Sequence, residues 1–403
     1  MLTLEELVAS LESHLNDAEV TLMHVEGAAE LSSLYQSGVA LEDSSLERLS
    51  ATLNVNVVSI ESLGEAVKAL YTRFLDALVK GWDFMVKYVD NVNIQLYQLT
   101  NAVEELSDLA EGRVATVAAK SQFSVDSNQS VLTHEFKPLD PKEYIQKLSE
   151  HSATLENVLL EFVAEVMNSS KFIAPLIESL ALTDTSKESS LEKVKLDSRG
   201  IAKFGNEVVE HIVRFKGVDV SASRTDLQRG NGHVIQMTSL LGNKGLFVRY
   251  DNVDKASLRG EGIPFFNAFN AVFSAGVILD NISTEKTLPS NLEFTTLTPD
   301  YVKVIGEELS KNLAVLRRFR NRHADTLKQQ RKRYQQLRAK LNSVSAVGDN
   351  TEVNLYLRRV GQAAMGLSRW YYDPFVPLVA HTLKIIRGSI GYCDASLKQW
   401  PKR

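Results

Sequence analysis

The densest chemical feature of this 403-residue sequence is a run of basic residues between Arg317 and Lys340. Ten cations stand there against a single carboxylate, that of Asp325. The cations are Arg317, Arg318, Arg320, Arg322, Lys328, Arg331, Lys332, Arg333, Arg338 and Lys340. Positive charges along one helix repel each other unless phosphates or carboxylates lie nearby. The run therefore predicts contact with nucleic acid or with an acidic partner.

Acidic helices of the same chain could also neutralise this run, and the sequence leaves that alternative open. Phe319 and Tyr334 are its only large aromatic residues, so base stacking of the single-strand type is not predicted. Any contact with DNA would be made with phosphates and would be independent of the base sequence.

A second feature is a tripeptide that places a small residue two positions before a glutamate. Within the first 61 residues, copies of it end at Glu12, Glu30, Glu47 and Glu61. The triplet is short and recurs later in the chain, so its surroundings matter more than its composition. The last copy, Ser59-Ile-Glu61, overlaps the β-branched stretch Val55–Ile60, which we expect to be extended. A protease could bind such a segment as a strand.

Enzyme signatures are missing from the sequence. It contains no phosphate-binding loop, dinucleotide fingerprint, H-E-x-x-H motif or nucleophile elbow. The eight histidines are scattered, and the one cysteine, Cys393, allows no intramolecular disulfide. No stretch reaches the ~18 apolar residues that a membrane span needs. We therefore expect no catalytic residues, no metal, no cofactor and no membrane association.

The net charge of −5 hides two regions of opposite sign. Residues 1–61 hold eleven acidic residues and one basic residue, Arg48, which gives −10. Residues 62–403 hold 44 basic and 39 acidic residues, which gives +5. Such asymmetry is typical of a detachable or partner-binding arm.

Hydrophobic periodicity predicts a mainly α protein, a multi-helix bundle with long amphipathic helices and one small β-hairpin element. The clearest helix is Ser62–Leu109, whose aromatic-rich stripe repeats every three to four residues. Val234–Tyr250 predicts the hairpin, because two β-rich runs flank a glycine-bearing turn. Further helices are predicted over residues 3–36, 141–179, 198–215, 266–283, 299–342 and 352–400.

The order of these features resembles the internal head proteins of giant phiKZ-like tailed bacteriophages. An acidic helical piece ends in Val57–Leu63, the aromatic-rich stretch Ala69–Phe84 follows, and a helical segment near Val379–Lys398 closes the chain. The resemblance implies a precursor that enters the prohead and is cut by a prohead protease after a small-x-Glu motif. The mature protein would stay inside the capsid, packaged with the genome.

Carried onto this chain, the resemblance places the cut between Glu61 and Ser62, with Ser59 as the small residue. Glu12, Glu30 and Glu47 would mark secondary cuts. The expected segments are an acidic helical propeptide (1–61), an amphipathic helix and linker (62–130), a helical region (131–230), the hairpin element (231–265) and a C-terminal helical region with the basic helix (266–403).

The implied partners are the prohead protease, other capsid or core proteins, and packaged DNA. The implied locations are the capsid interior and, during assembly, the host cytoplasm. Two alternatives of other classes remain at this point. One is a cytosolic helical scaffold or adaptor, and the other is an unprocessed, non-specific nucleic-acid-binding protein.

Overall fold

A computed structural model describes most of the chain from residue 60 onward. The described residues are 13–14, 16–18, 20–21, 60–125, 129–164, 233–250, 256–257, 262–289, 292–342 and 351–402. Their named α-helices are α1 (Ile60–Glu111), α2 (Pro141–Leu155), α3 (Gly262–Ser274), α4 (Pro299–Asn342) and α5 (Thr351–Leu397). The mainly α prediction is confirmed. The predicted helix over 198–215 and most of that over 3–36 lie outside the described residues.

Two long helices, α1 and α4, lie side by side and antiparallel, as shown by ion pairs that join the start of one to the end of the other. The apolar side chains of α1 that the sequence spaced three to four residues apart are buried against α4 and α5. Among them, Trp82 stacks on Tyr334 of α4, with ring centroids 5.5 Å apart, and also lies 5.5 Å from the ring of Tyr371 in α5. Burial of this stripe stabilises the helix.

The fifth helix runs without interruption from Thr351 to Leu397, although it contains Pro374 and Pro377. Each proline removes one backbone hydrogen bond from the helix interior and favours a kink or break there. Contacts with the rest of the protein must therefore stabilise the helix across Pro374 and Pro377. The neighbouring Tyr88 supplies such a contact, because its hydroxyl donates a hydrogen bond of 3.0 Å to the carbonyl of Val376.

Helix α2 begins at Pro141, and Asp140 caps its N-terminus. The Asp140 carboxylate accepts hydrogen bonds from the backbone N–H groups of Lys142 and Glu143, at 2.8 and 3.0 Å. Pro141 stands at the start, where no N–H is needed. A π-helix over Glu156–Phe162 continues α2, and helical structure extends to residue 164; residues 165–179 of the predicted helix lie outside the description.

The main sheet has three antiparallel strands, β4 (His233–Leu240), β5 (Lys244–Tyr250) and β6 (Gly276–Asn281). The shorter strands are β1 (Gln122–Phe123), β2 (Thr133–His134), β3 (Lys137–Pro138) and β7 (Phe294–Thr295). The sequence predicted β4 and β5 as a hairpin and residues 266–283 as a helix. That helix prediction was wrong from Gly276 onward, because Val277 and Ile278 pair with the buried central strand β5.

The turn between β4 and β5 needs its glycine. Gly242 has φ of 75°, in the left-handed region that favours glycine. A Cβ there would lie 2.6 Å from the Cε1 atom of His381. The sheet therefore contacts α5 through this turn. Among the described residues, no helix is long and apolar enough to cross a membrane.

Candidate nucleic-acid interface

The basic run lies in the second half of α4. One face of this half-helix packs into the core, so the cations lie on its other faces. One stripe of this half-helix is buried, at a spacing of three to four residues. It consists of Phe319, His323, Leu327, Gln330, Tyr334 and Leu337. The cations therefore flank the stripe or point away from it.

On the side toward α1, three arginines bind groups of that helix. Arg331 pairs with Asp83 at 3.2 Å, and Arg338 pairs with Asp76 one heptad earlier. Arg317 donates a hydrogen bond to the hydroxyl of Thr100. The ion pairs on this side extend the antiparallel seam between the two helices.

On the opposite side, two arginines bind the π-helix that follows α2. Arg318 pairs with the carboxylate of Glu156, and Arg322 donates to the carbonyl of Leu160 at 3.3 Å. Carboxylates of the same chain therefore neutralise some of the cations in the run, as the alternative reading of the sequence expected. These pairs are solvent-exposed, and such pairs contribute about 0–1 kcal/mol each, so a phosphate could replace them at small cost.

The outward face of α4 carries Lys328 and Lys332, one turn apart and both exposed. Neither makes an ion pair within the described part of the chain. Arg320 donates to the side chain of its neighbour Asn321 at 3.2 Å, and Arg333 is engaged by another group. The side chain of Lys340 lies outside the description. We refer to Lys328 and Lys332 together as the outer lysine pair.

Comparison with known proteins gives one match. A sequence model of the phiKZ-like phage internal head proteins matches residues 2–395. The chain belongs to this family. No curated protein and no solved structure matches it.

Membership confirms the family that the sequence resembled. It makes this internal head protein a structural protein of the capsid interior, which counts against the cytosolic scaffold alternative. The match spans α1, α4 and nearly all of α5, so it covers the basic run together with the helices that neutralise part of it.

The predicted cleavage residues of the internal head protein fall at the edge of the description. Glu61 and Ser62 lie in the first turn of α1, which begins at Ile60. Ile60, the last residue of the stretch that was expected to be extended, is therefore helical; Ser59 and the rest of that stretch lie outside the described residues, as do Glu12, Glu30 and Glu47. First-turn N–H groups lack helical partners, so this turn opens more easily than the helix interior.

Sequence reasoning missed a buried polar cluster where α2, α5 and the β4–β5 turn meet. The imidazoles of His151 and His381 lie 6.2 Å apart, edge to face. His151 bonds the hydroxyl of Thr382 at 2.9 Å, and Nε2 of His381 donates to the carbonyl of Leu241 at 2.7 Å. Burial lowers the pKa of His151 to about 3 and that of His381 to about 4.

These histidines are 230 residues apart in the sequence, and no spacing signal links them. The arginine–aspartate pairs did leave a signal. Asp76 and Asp83 are seven residues apart, as are Arg331 and Arg338, and two heptad-spaced sets of opposite charge predict facing helices. Among the described residues, no group of three or more metal-ligating side chains comes together.

Proposed function

We propose that this internal head protein is made as a precursor, cut between Glu61 and Ser62, and then packaged with the genome through phosphate contacts of α4. The observation that carries the proposal is the reversal of charge at Glu61. The residues before the cut carry −10, and those after it carry +5. Removal of the N-terminal segment, residues 1–61, would turn an acidic protein into a basic one.

The segment would lower the affinity of the precursor for DNA. Phosphate contacts dominate non-specific binding, and their strength depends on the local cation density. An attached charge of −10 repels the same phosphates that the outer lysine pair and the exposed Arg318 and Arg322 attract. Cutting would therefore couple the maturation of the head to the entry of DNA.

Intact mass and N-terminal sequencing of the protein from purified particles test the cut. A chain that starts at Ser62 supports the proposal, whereas a chain that starts at Met1 in mature particles overturns it. Glu61→Gln should abolish processing in infected cells. Glu65→Gln is the matched control, since Leu63 two positions earlier is too large for the motif.

Binding of duplex DNA as a function of salt tests the contact surface. Lys328→Glu with Lys332→Glu should weaken binding at low salt and reduce the slope of log K against log salt by roughly 2, about 1 per lost phosphate contact. The control is Lys142→Glu with Lys286→Glu, which makes the same charge change at two exposed lysines elsewhere. Equal losses in both double variants would show that net charge, and not the outer lysine pair, governs binding.

An acidic protein surface is the second candidate partner, because exposed lysines on a helix fit carboxylates as well as phosphates. Salt dependence separates the two partners. Release of condensed counterions makes DNA binding fall steeply with salt, and a protein partner lacks that term.

A further inference from the structure

Part of the N-terminal segment lies against the body of the protein. Residues 13–14, 16–18 and 20–21 are helical. The His14 ring lies 5.2 Å from the ring of Phe84 in α1, tilted by 34°. Ala18, one turn later on the same helical face, is fully buried and belongs to the hydrophobic core. Asn16 accepts a hydrogen bond of 3.1 Å from the guanidinium of Arg369 in α5.

The surface under this helix combines an aromatic ring with two cations. Phe84 is half-buried, and the Lys87 ammonium lies 5.0 Å from its ring centroid. Arg369 is held in place by Asp373, one turn along α5, at 3.5 Å. The side chains of this ion pair are only 15% and 13% exposed, so Asp373 holds the guanidinium that reaches Asn16. We call Phe84, Lys87 and Arg369 the docking face.

Charge complements this geometry. The sequence around the docked helix contains Glu12, Asp17 and Glu19, with no lysine or arginine nearby. The docking face carries two cations, of which Arg369 reaches Asn16 of a segment whose overall charge is −10, while Asp373 pairs with Arg369. Attraction of this kind orients a helix whose apolar contacts hold it in place.

We propose that the helical residues 13–14, 16–18 and 20–21 are the docking element of the N-terminal segment, and that they cover the docking face until the segment is cut off. The release of the segment depends on the cleavage after Glu61 that is proposed above. While the chain is intact, the tether keeps the segment at a high effective concentration near the face. After the cut, the same contacts must form between separate molecules, so dilution releases the segment and opens the face.

Cysteine accessibility in the intact, full-length chain tests the docking. The one native thiol, Cys393, is buried and reacts slowly. Ala18→Cys should be protected, whereas Val20→Cys, at a position that is 46% exposed, should react freely with a maleimide. We expect labelling of Ala18→Cys to be slower by at least about tenfold, since it requires local opening of the segment. Equal rates would overturn the proposal.

A second variant shows whether the body provides that protection. Adding Asn16→Ala to Ala18→Cys removes a hydrogen bond to a charged group and should speed labelling about tenfold. Adding Ser13→Ala, at an exposed and uncharged position of the same helix, should leave the rate unchanged. If Asn16→Ala also leaves it unchanged, then Ala18 is not protected by docking on Arg369 and the docking face is wrong.

The two proposals fail in different ways. Protection of Ala18→Cys in the intact chain, together with a chain that starts at Met1 in particles, would retain the docking and overturn the processing. In a chain cut after Glu61 and diluted to low micromolar concentration, Ala18→Cys should label as fast as Val20→Cys. Continued protection and co-elution with the body would overturn the release.

Discussion

Acidification should destabilise the protein through its two buried histidines, at a pH above that at which carboxylates titrate. His151 and His381 are held neutral, because burial lowers the pKa of His151 to about 3 and that of His381 to about 4. In the unfolded chain both return to about 6.5. The contribution is therefore fully present above pH 6.5 and is lost as pH falls toward the folded pKa values.

The size of the loss follows from proton linkage. Between pH 7.5 and 5.5, a group with an unfolded pKa of 6.5 and a folded pKa near 4 or below costs about 1.4 kcal/mol. The two histidines together should lower the free energy of unfolding by about 3 kcal/mol. His323 acts in the same direction, since burial and the neighbouring Arg322 lower its pKa to about 4.

Urea unfolding followed by tryptophan fluorescence at the two pH values measures this loss. His151→Gln keeps a polar group beside Thr382 and removes one titration, so its pH-dependent loss should be about 1.4 kcal/mol smaller than that of the wild type. A wild-type loss under about 0.5 kcal/mol, or an unchanged loss in His151→Gln, would refute the assignment of neutral, buried imidazoles.

Two further predictions concern the helices. Gly366→Ala should destabilise the protein by about 1–3 kcal/mol in urea unfolding, because the new Cβ would lie 2.8 Å from Phe273 atoms, including its carbonyl oxygen. Gly391→Ala, on the open side of the same helix, should stabilise it by about 0.5–1 kcal/mol, and destabilisation there would contradict the open surface. A double-mutant cycle with Asp83→Asn and Arg331→Gln should give a coupling energy of about 0.5 kcal/mol that falls with salt. A coupling of zero at low salt would show that the ion pair does not form in solution.

The long helices could be predicted from the sequence because their signal is local. Apolar side chains that recur every three to four residues determine both the helix and its buried face, and α1 and α4 have bounds within two residues of those predicted. Strand β6 could not be predicted in this way. Gly276–Asn281 is short and apolar, so a buried strand and a buried helix give the same pattern, and only pairing with β5 decides between them.

In the candidate site, too, the features with a local signal could be predicted and the contacts between distant residues could not. The ten cations could be identified from the sequence, but their partners depend on which helices face each other. Arg318 finds Glu156 only because the π-helix lies beside α4, and nothing local connects residues 162 positions apart. By contrast, the outward position of Lys328 and Lys332 follows from the buried stripe at Leu327 and Tyr334, which the helical period already implies.

The contact of α1 with α5 cannot form until long after α1 has been synthesised. Tyr88 contacts Val376, 288 residues further along the chain. A ribosome adds about 5–20 residues per second, so α1 waits on the order of 15–60 s for that partner. Until α4 and α5 have been synthesised, part of its aromatic stripe is uncovered, and a nascent chain in that state is prone to aggregate. The residues already synthesised ahead of it carry −10, so they repel neighbouring nascent chains while the apolar stripe is still exposed.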